Sequence, residues 1–137
     1  MNNISASRAA LFVSIAIGAF HEANADVVVI VSAKSTTTSM TTEQVADIYL
    51  GNSNALKPTD NGDKSSRAEF YSKVTGRDVT QIKAYWARLT FTGKASAPRE
   101  LPTSEAVVKA VGANPNAIGY VEESAVDSTV KVVLKLK

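Results

Sequence analysis

The stretch Val27-Val28-Val29-Ile30-Val31-Ser32 decides the fold class of this chain. Five of its six residues are β-branched and apolar, and none is charged. Such a strand has no polar face, which is typical of a strand that is covered on both faces of its sheet. Because helices are the usual cover for both faces of a small sheet, the stretch predicts an α/β domain.

Helical and strand patterns alternate along the rest of the chain, and capping residues mark where several of the helices begin. Pro58 restricts the short strand that contains it to a sheet edge. The last strand alternates apolar residues with lysines, which predicts an edge strand with one wet face. The predicted elements after the first strand are a helix at 42–50 opened by a Thr41–Gln44 capping box and stopped by Gly51, a strand at 56–59, a helix from Ser65 or Ser66 to Gly76, a helix at 78–91, a Pro-containing loop at 94–102, a helix capped by Thr103, a strand at 117–121 and a strand at 130–136.

The first 25 residues have the pattern of a cleaved secretory signal. Arg8 supplies a positive start, residues 9–20 are apolar, and Ala23-Asn24-Ala25 is a small-x-small cleavage pattern. The alternative is a membrane anchor, but a spanning helix needs roughly 20 apolar residues and this run is shorter. Cleavage would leave a single domain at 26–137, free in the periplasm, with no stable membrane anchor.

Composition excludes most catalytic machinery. The chain has no cysteine and one histidine, His21, which lies inside the predicted signal. The domain that remains therefore has no Ser-His or Cys-His pair, no thiolate or imidazole metal site and no glycine-rich phosphate loop. The carboxylates at 60, 63, 122 and 123 are expected to be solvated rather than catalytic. We expect a protein that is not an enzyme and that uses no cofactor or metal.

The middle of the chain carries the positive charge. Residues 57–99 have a net charge of +5, whereas the whole chain has +2. Within this segment, Asp63-Lys64-Ser65-Ser66-Arg67 lies where a polar loop enters a helix. The first turn of a helix offers unpaired N–H groups, so an oxyanion could bind here with help from the hydroxyls and cations. The alternative is a capping box formed by Ser66 and Glu69, which would occupy the Ser66 hydroxyl.

A second basic and aromatic cluster spans residues 86–94. Trp86 and Arg88 are followed by Phe91 and Lys94, a mixture that can serve nucleic acid. Trp86, however, shares a helical stripe with Val79, Ile82 and Leu89. We therefore assign Trp86 to the core and expect no nucleic-acid partner.

Four segments give the chain a family resemblance. They are MTTEQVADIYLG at 40–51, SSRAEFY at 65–71, AYWARLTFTGK at 84–94 and NPNAIGYV at 114–121. With them the chain resembles the short exported phosphate ABC-transporter substrate-binding proteins, which are similar to the phosphate-binding branch of the type II periplasmic binding proteins.

The resemblance implies a small mixed sheet flanked by helices, about one lobe of a type II periplasmic binding protein. It also implies binding of phosphate or another small oxyanion, and delivery to an inner-membrane ABC permease. The expected anion-binding residues are Ser65, Ser66 and Arg67, with Lys64 and Ser39 as weaker candidates. Full-length members have two lobes and a Gly-Ser-Gly-Thr helix start, whereas the matching start here is Lys64-Ser65-Ser66, without glycine.

Two alternatives remain open at this point. The domain could be a periplasmic interaction or sensor-accessory module that keeps the fold without binding a ligand. Two copies could also pair as a homodimer through the last strand at Val132-Val133-Leu134, since an edge strand can accept another strand.

Overall fold

A computed structural model describes residues 26–137 of the chain. The predicted signal peptide lies outside the described residues. Five strands and four α-helices form this domain, which agrees with the predicted fold class. In chain order they are β1 (Val27–Ser32), α1 (Thr42–Tyr49), β2 (Lys57–Asn61), α2 (Lys64–Thr75), α3 (Val79–Phe91), β3 (Arg99–Leu101), α4 (Ser104–Ala113), β4 (Ala117–Glu122) and β5 (Val130–Lys135), with a 3₁₀ turn at Glu123–Ala125 between the last two strands.

The sheet is mixed, with the strand order β3-β2-β4-β1-β5. β2 is parallel to β3 and β4, whereas β1 is antiparallel to β4 and β5. Every residue of β1 is buried, and its side chains alternate between two apolar clusters. Val27, Val29 and Val31 pack on the side of α1, α2 and α3, and Val28 and Ile30 pack on the side of α4. The prediction of a strand covered on both faces is confirmed.

Most of the predicted helix boundaries are confirmed by their caps. Thr41 and Gln44 form the expected capping box at α1, and Gly51 follows that helix with a φ of +80°, a conformation that favours glycine. Thr103 caps α4, whose valines are buried as predicted. On α3, Ile82 and Trp86 are core residues, while Val79 and Leu89 are partly buried against the core.

The prediction that Pro58 confines its strand to the sheet edge is wrong. β2 lies between β3 and β4 because the segment expected to be a loop at 94–102 contains an additional short strand, β3. β3 pairs with Thr59 through Asn61 only, so at Pro58 the strand has β4 as its single neighbour. The missing N–H of Pro58 is tolerated because β2 is locally the outermost strand of the sheet at this residue.

β5 is an edge strand, as predicted, but its simple alternation is interrupted. The pairing of β1 with β5 shifts register between Val29 and Ile30, and Val133 is buried where alternation would expose it. The loop that follows β1 also lies along β5. Met40 N–H donates to the Val133 carbonyl at 3.0 Å, and the Lys131 ammonium donates to the Ser35 carbonyl at 2.6 Å. Part of the strand expected to pair with a second copy is thus engaged within the chain.

Candidate functional site

The start of α2 differs from the predicted capping arrangement. The helix begins at Lys64, and its N-cap is Asp63 rather than Ser66. The Asp63 carboxylate accepts the Ser66 N–H at 3.1 Å and the Ser66 hydroxyl at 2.6 Å. Aspartate is at least as good an N-cap as serine, so the earlier residue captures the helix end. The expected Ser66–Glu69 capping box is therefore wrong, and Glu69 instead forms an ion pair with Lys73 at 2.7 Å.

These contacts keep Asp63 ionised. The hydrogen bond from the Ser66 hydroxyl, together with that from the Ser66 N–H, lowers the pKa of Asp63 below its usual value. The negative charge at the start of α2 consequently persists at neutral pH. Lys64 and Ser65, at the first two helical positions, have exposed side chains and N–H groups with no intrahelical acceptor.

Arg67 is held by two carboxylates. Its Nη2 lies 3.2 Å from Asp60 Oδ2, and its Nη1 lies 3.7 Å from Glu100 Oε2. The Arg67 side chain is only 16% exposed. The cation predicted to attract an anion is thus already matched by negative charge from β2 and β3.

Asp60 is a functional candidate that sequence reasoning misplaced among solvated carboxylates. It is 4% exposed and accepts hydrogen bonds from Asn61 N–H at 2.9 Å, from Tyr71 Oη at 3.1 Å and from Tyr120 Oη. Burial, and then the nearby Asp60 charge, raises the pKa of Tyr71 and of Tyr120 far above the usual value. Both hydroxyls therefore remain protonated donors to Asp60. The residues come from β2, α2 and β4, so no local sequence signal joins them.

The carboxyl ends of β2 and β3 meet at a pocket of about 500 Å³. In this parallel pair Asn61 faces Leu101, and each strand is followed within a few residues by a helix, α2 or α4. Asn61 Nδ2 donates to Ser104 Oγ at 3.0 Å, which ties the end of β2 to the start of α4. Gly62 permits this close approach, because an added Cβ would lie 2.9 Å from the Pro102 carbonyl oxygen.

We call this cavity the α2/α4 pocket. It is lined by Gly62, Asp63, Lys64, Pro102, Thr103, Ser104, Glu105 and Glu122. The first turns of two helices border it, which favours an anion, but three carboxylates face it against a single lysine. Its chemistry is therefore that of a polar pocket with helix-end donors and carboxylate acceptors side by side.

The structure brings together only part of the predicted site. Lys64, Ser65, Ser66 and Arg67 share the first turn of α2, and Lys64 lines the α2/α4 pocket. Ser39 lines a different pocket, beside Gln44 and Asp47 of α1, that has no residue in common with the α2/α4 pocket. Within residues 26–137, no cluster of side chains could hold a metal ion, and no helix is long and apolar enough to cross a membrane.

Three solved structures share this architecture over 79% of the chain. One, from Clostridium perfringens, is described as a phosphate ABC transporter substrate-binding protein with bound phosphate, at 22% identity and a TM-score of 0.63. The second, from Vibrio cholerae, is described as an ABC-type phosphate transport receptor, at 18% identity and a TM-score of 0.62. The third, from Planctomyces limnophilus, is described as a possible phosphate-binding protein, at 17% identity and a TM-score of 0.54. The fold of residues 26–137 therefore matches part of each of these three structures.

The chain spans less than half the length of these structures: 44%, 45% and 40% respectively. No family model and no curated protein matches its sequence. At these identities the likeness concerns the fold, and the three neighbours are described as binding or transport proteins rather than enzymes. The resemblance drawn from the sequence is thus confirmed at the level of architecture.

Proposed function

We propose that this chain is an exported, non-catalytic binding protein whose ligand, phosphate or a similar small oxyanion, occupies the α2/α4 pocket. The observation that carries the proposal is the convergence of two helix starts on one pocket, at the carboxyl ends of two parallel strands. In α/β sheets such a crevice is the usual place for a ligand, and the positive ends of helix dipoles favour an anion there. The protein then delivers the anion to an inner-membrane ABC permease.

Lys64, which lines the pocket, makes the direct contact in this proposal, and Ser65 follows it in the same first turn of α2. They offer an ammonium group, a hydroxyl and two N–H groups without intrahelical acceptors. Neither Ser66 nor Arg67 lines this pocket: the Ser66 hydroxyl donates to Asp63, and Arg67 is paired with Asp60 and Glu100. Both residues therefore keep these partners in the proposal when the anion binds.

The carboxylates of the pocket select among oxyanions. Asp63 is ionised, so its carboxylate can accept a hydrogen bond from the P–OH group of hydrogen phosphate but repels fully ionised sulfate. Glu105 and Glu122 add to this repulsion. Because the pocket is also open on one side, we expect weak, millimolar affinity for phosphate and weaker affinity for sulfate.

Calorimetric titration of the 26–137 domain with phosphate and with sulfate tests the proposal. The Lys64→Ala/Ser65→Ala variant should lose the saturable phosphate heat. Ser72→Ala/Lys73→Ala changes the same two residue types in the last turns of the same helix, far from the pocket, and should retain it. Absence of saturable heat up to roughly 10 mM phosphate, or equal loss in both variants, would contradict the proposal.

A second function is supported by the charge balance of the site. Arg67 is matched by two carboxylates, and the α2/α4 pocket is lined by three more against Lys64. This balance favours an accessory module that keeps the fold and works through protein contacts. The titration separates the two functions, because the accessory module binds neither anion.

A further inference from the structure

The outer face of α3 is apolar along its middle and positive along both borders. Ala84, Ala87 and Phe91 are exposed and follow one another at spacings of three and four residues, so they lie along one side of the helix. Lys83 and Arg88 are exposed as well, and at 3.6 residues per turn they fall on opposite sides of that apolar row. Phe91 ends the helix and is 94% exposed.

Negative charge is missing from this part of the chain. Residues 79–99 contain two lysines and two arginines but no aspartate or glutamate. In the described part of the chain none of these four cations forms an ion pair, and Glu100, the carboxylate that follows the segment, lies beside Arg67. Exposed cations without partners create a positive potential that attracts an anionic surface.

A pocket of about 460 Å³ continues the positive surface past the end of α3. Two exposed lysines, Lys57 and Lys94, line it together with the polar side chains of Ser53, Asn54 and Ser96. No carboxylate lines this pocket, whereas three line the α2/α4 pocket, and Asp47 of α1 lines an adjoining pocket. Two ammonium groups beside hydroxyl and amide donors suit the phosphate of a lipid headgroup. We call it the Lys94 pocket.

The combination of a bare aromatic ring and unpaired cations selects a lipid surface as the partner. A free phosphate ion would satisfy the lysines but would leave the Phe91 ring in water, which costs the free energy that burial of the ring would yield. An acidic protein would need a cavity shaped for that ring. A bilayer accepts an aromatic ring at its interface without a preformed cavity, and anionic headgroups then surround the ring.

From these observations we infer that the domain docks reversibly on a membrane surface that contains anionic phospholipid. Phe91 inserts at the level of the headgroups, Lys83 and Arg88 contact headgroup phosphates on either side of it, and the Lys94 pocket receives one further headgroup. One aromatic ring and a few cations give weak binding rather than an anchor. This docking goes beyond the proposed function, and the Lys94 pocket has no lining residue in common with the α2/α4 pocket.

Co-sedimentation of the 26–137 domain with lipid vesicles tests the inference. The predicted signal is left out because its apolar sequence would bind lipid by itself. The probes are vesicles of phosphatidylcholine alone and vesicles that also contain about 30 mol% phosphatidylglycerol. We expect at least about fivefold tighter binding to the anionic vesicles, and release from them as NaCl is raised from about 50 to about 500 mM.

Variants of the surface separate the ring from the cations. Phe91→Ala should weaken binding to the anionic vesicles at least about fivefold, whereas Phe91→Trp should retain it, because tryptophan also favours the membrane interface. Arg88→Ala/Lys94→Ala should weaken binding about tenfold or more. Lys34→Ala/Lys109→Ala removes the same charge from exposed positions outside this surface, with Lys109 on α4 across the sheet, and should stay within about threefold of the unaltered domain.

Equal binding to both kinds of vesicle, or binding to neither, would overturn the inference. Unchanged binding of Phe91→Ala, or equal losses in the two charge variants, would overturn it as well. Binding to soluble polyglutamate but not to anionic vesicles would assign the surface to an acidic protein partner instead. Circular dichroism checks that the variants are folded, as the exposure of these side chains leads us to expect. The phosphate titration has its own variant and readout, so failure of the anion proposal and failure of this one are distinguishable.

Discussion

Replacing Asp60 by asparagine should destabilise the domain strongly, although the two side chains have nearly the same shape. Both Asp60 oxygens face donors: Oδ1 accepts from Tyr120 Oη and Asn61 N–H, and Oδ2 accepts from Tyr71 Oη and contacts Arg67. Whichever oxygen becomes an NH₂ group, it then points at two donors. The substitution removes two hydrogen bonds and leaves their donors buried without an acceptor.

The magnitude follows from this geometry. Each buried donor that loses its acceptor costs about 1–3 kcal/mol, and removing one partner of a buried ion pair costs about 3–5 kcal/mol. Because Asp60 is 4% exposed, little water can compensate. We expect Asp60→Asn to lower the free energy of unfolding by about 3 kcal/mol, which for a domain of this size lowers Tm by about 15 °C.

Urea denaturation followed by Trp86 fluorescence and by circular dichroism measures this loss. Asp78→Asn is the matched control: Asp78 is an exposed N-cap of α3, where asparagine caps equally well, so the change should be below about 0.5 kcal/mol. Adding Arg67→Met to Asp60→Asn removes a guanidinium that has lost the nearer of its two carboxylates and should recover about 1 kcal/mol relative to additivity. A loss below about 1 kcal/mol for Asp60→Asn would refute the assignment of a structural anion at this position.

Three further predictions concern packing, acid stability and capping. Gly119→Ala should lower the free energy of unfolding, measured by urea denaturation, by about 1–3 kcal/mol, because an added Cβ would lie 2.6 Å from Val107 Cγ1 and 2.8 Å from Thr59 Oγ1. An unchanged free energy of unfolding would show that α4 can move away from β4. Asp63 has a lowered pKa, so its stabilising contribution is fully present above the unfolded pKa, about 4, and is lost as the pH falls through the folded pKa. The difference in unfolding free energy between wild type and Asp63→Asn should therefore shrink below about pH 4. A difference that stays constant with pH would contradict the contacts with Ser66. Thr103→Ala removes the cap of α4 and should cost about 1 kcal/mol, whereas Thr103→Ser should cost much less; equal losses in thermal melts would argue against capping.

Short-range sequence patterns predicted the helices and strands correctly where contacts within a few residues determine the structure. The apolar run of β1 required cover on both faces, and the caps at Thr41 and Thr103 marked helix starts that the structure confirms. The start of α2 was missed by one or two residues because two candidate N-caps three positions apart, Asp63 and Ser66, competed for the same helix end. Asp63 captured it, since its carboxylate accepts both the N–H and the hydroxyl of Ser66.

The candidate sites were less accessible from the sequence. Asp60 looked like a carboxylate in a polar turn, and the residues that bury it are 11 and 60 positions away. The pocket between α3 and residues 97–100 depends on where that segment lies against the helix, which no spacing rule predicts. Contacts with distant segments determine that Asp60 is buried rather than solvated and that Arg67 is paired with carboxylates.

The sequence by itself determined an α/β domain with a buried central strand, without thiol or imidazole chemistry in residues 26–137, because periodicity, capping and composition act over a few residues. Only the tertiary structure decided the strand order and the place of β2 inside the sheet. It also determined the pairing of Arg67 with Asp60 and the meeting of two helix starts at one pocket. Those features depend on contacts between distant segments, and the free energy of such contacts is set by the packing of the whole domain rather than by any one stretch of it.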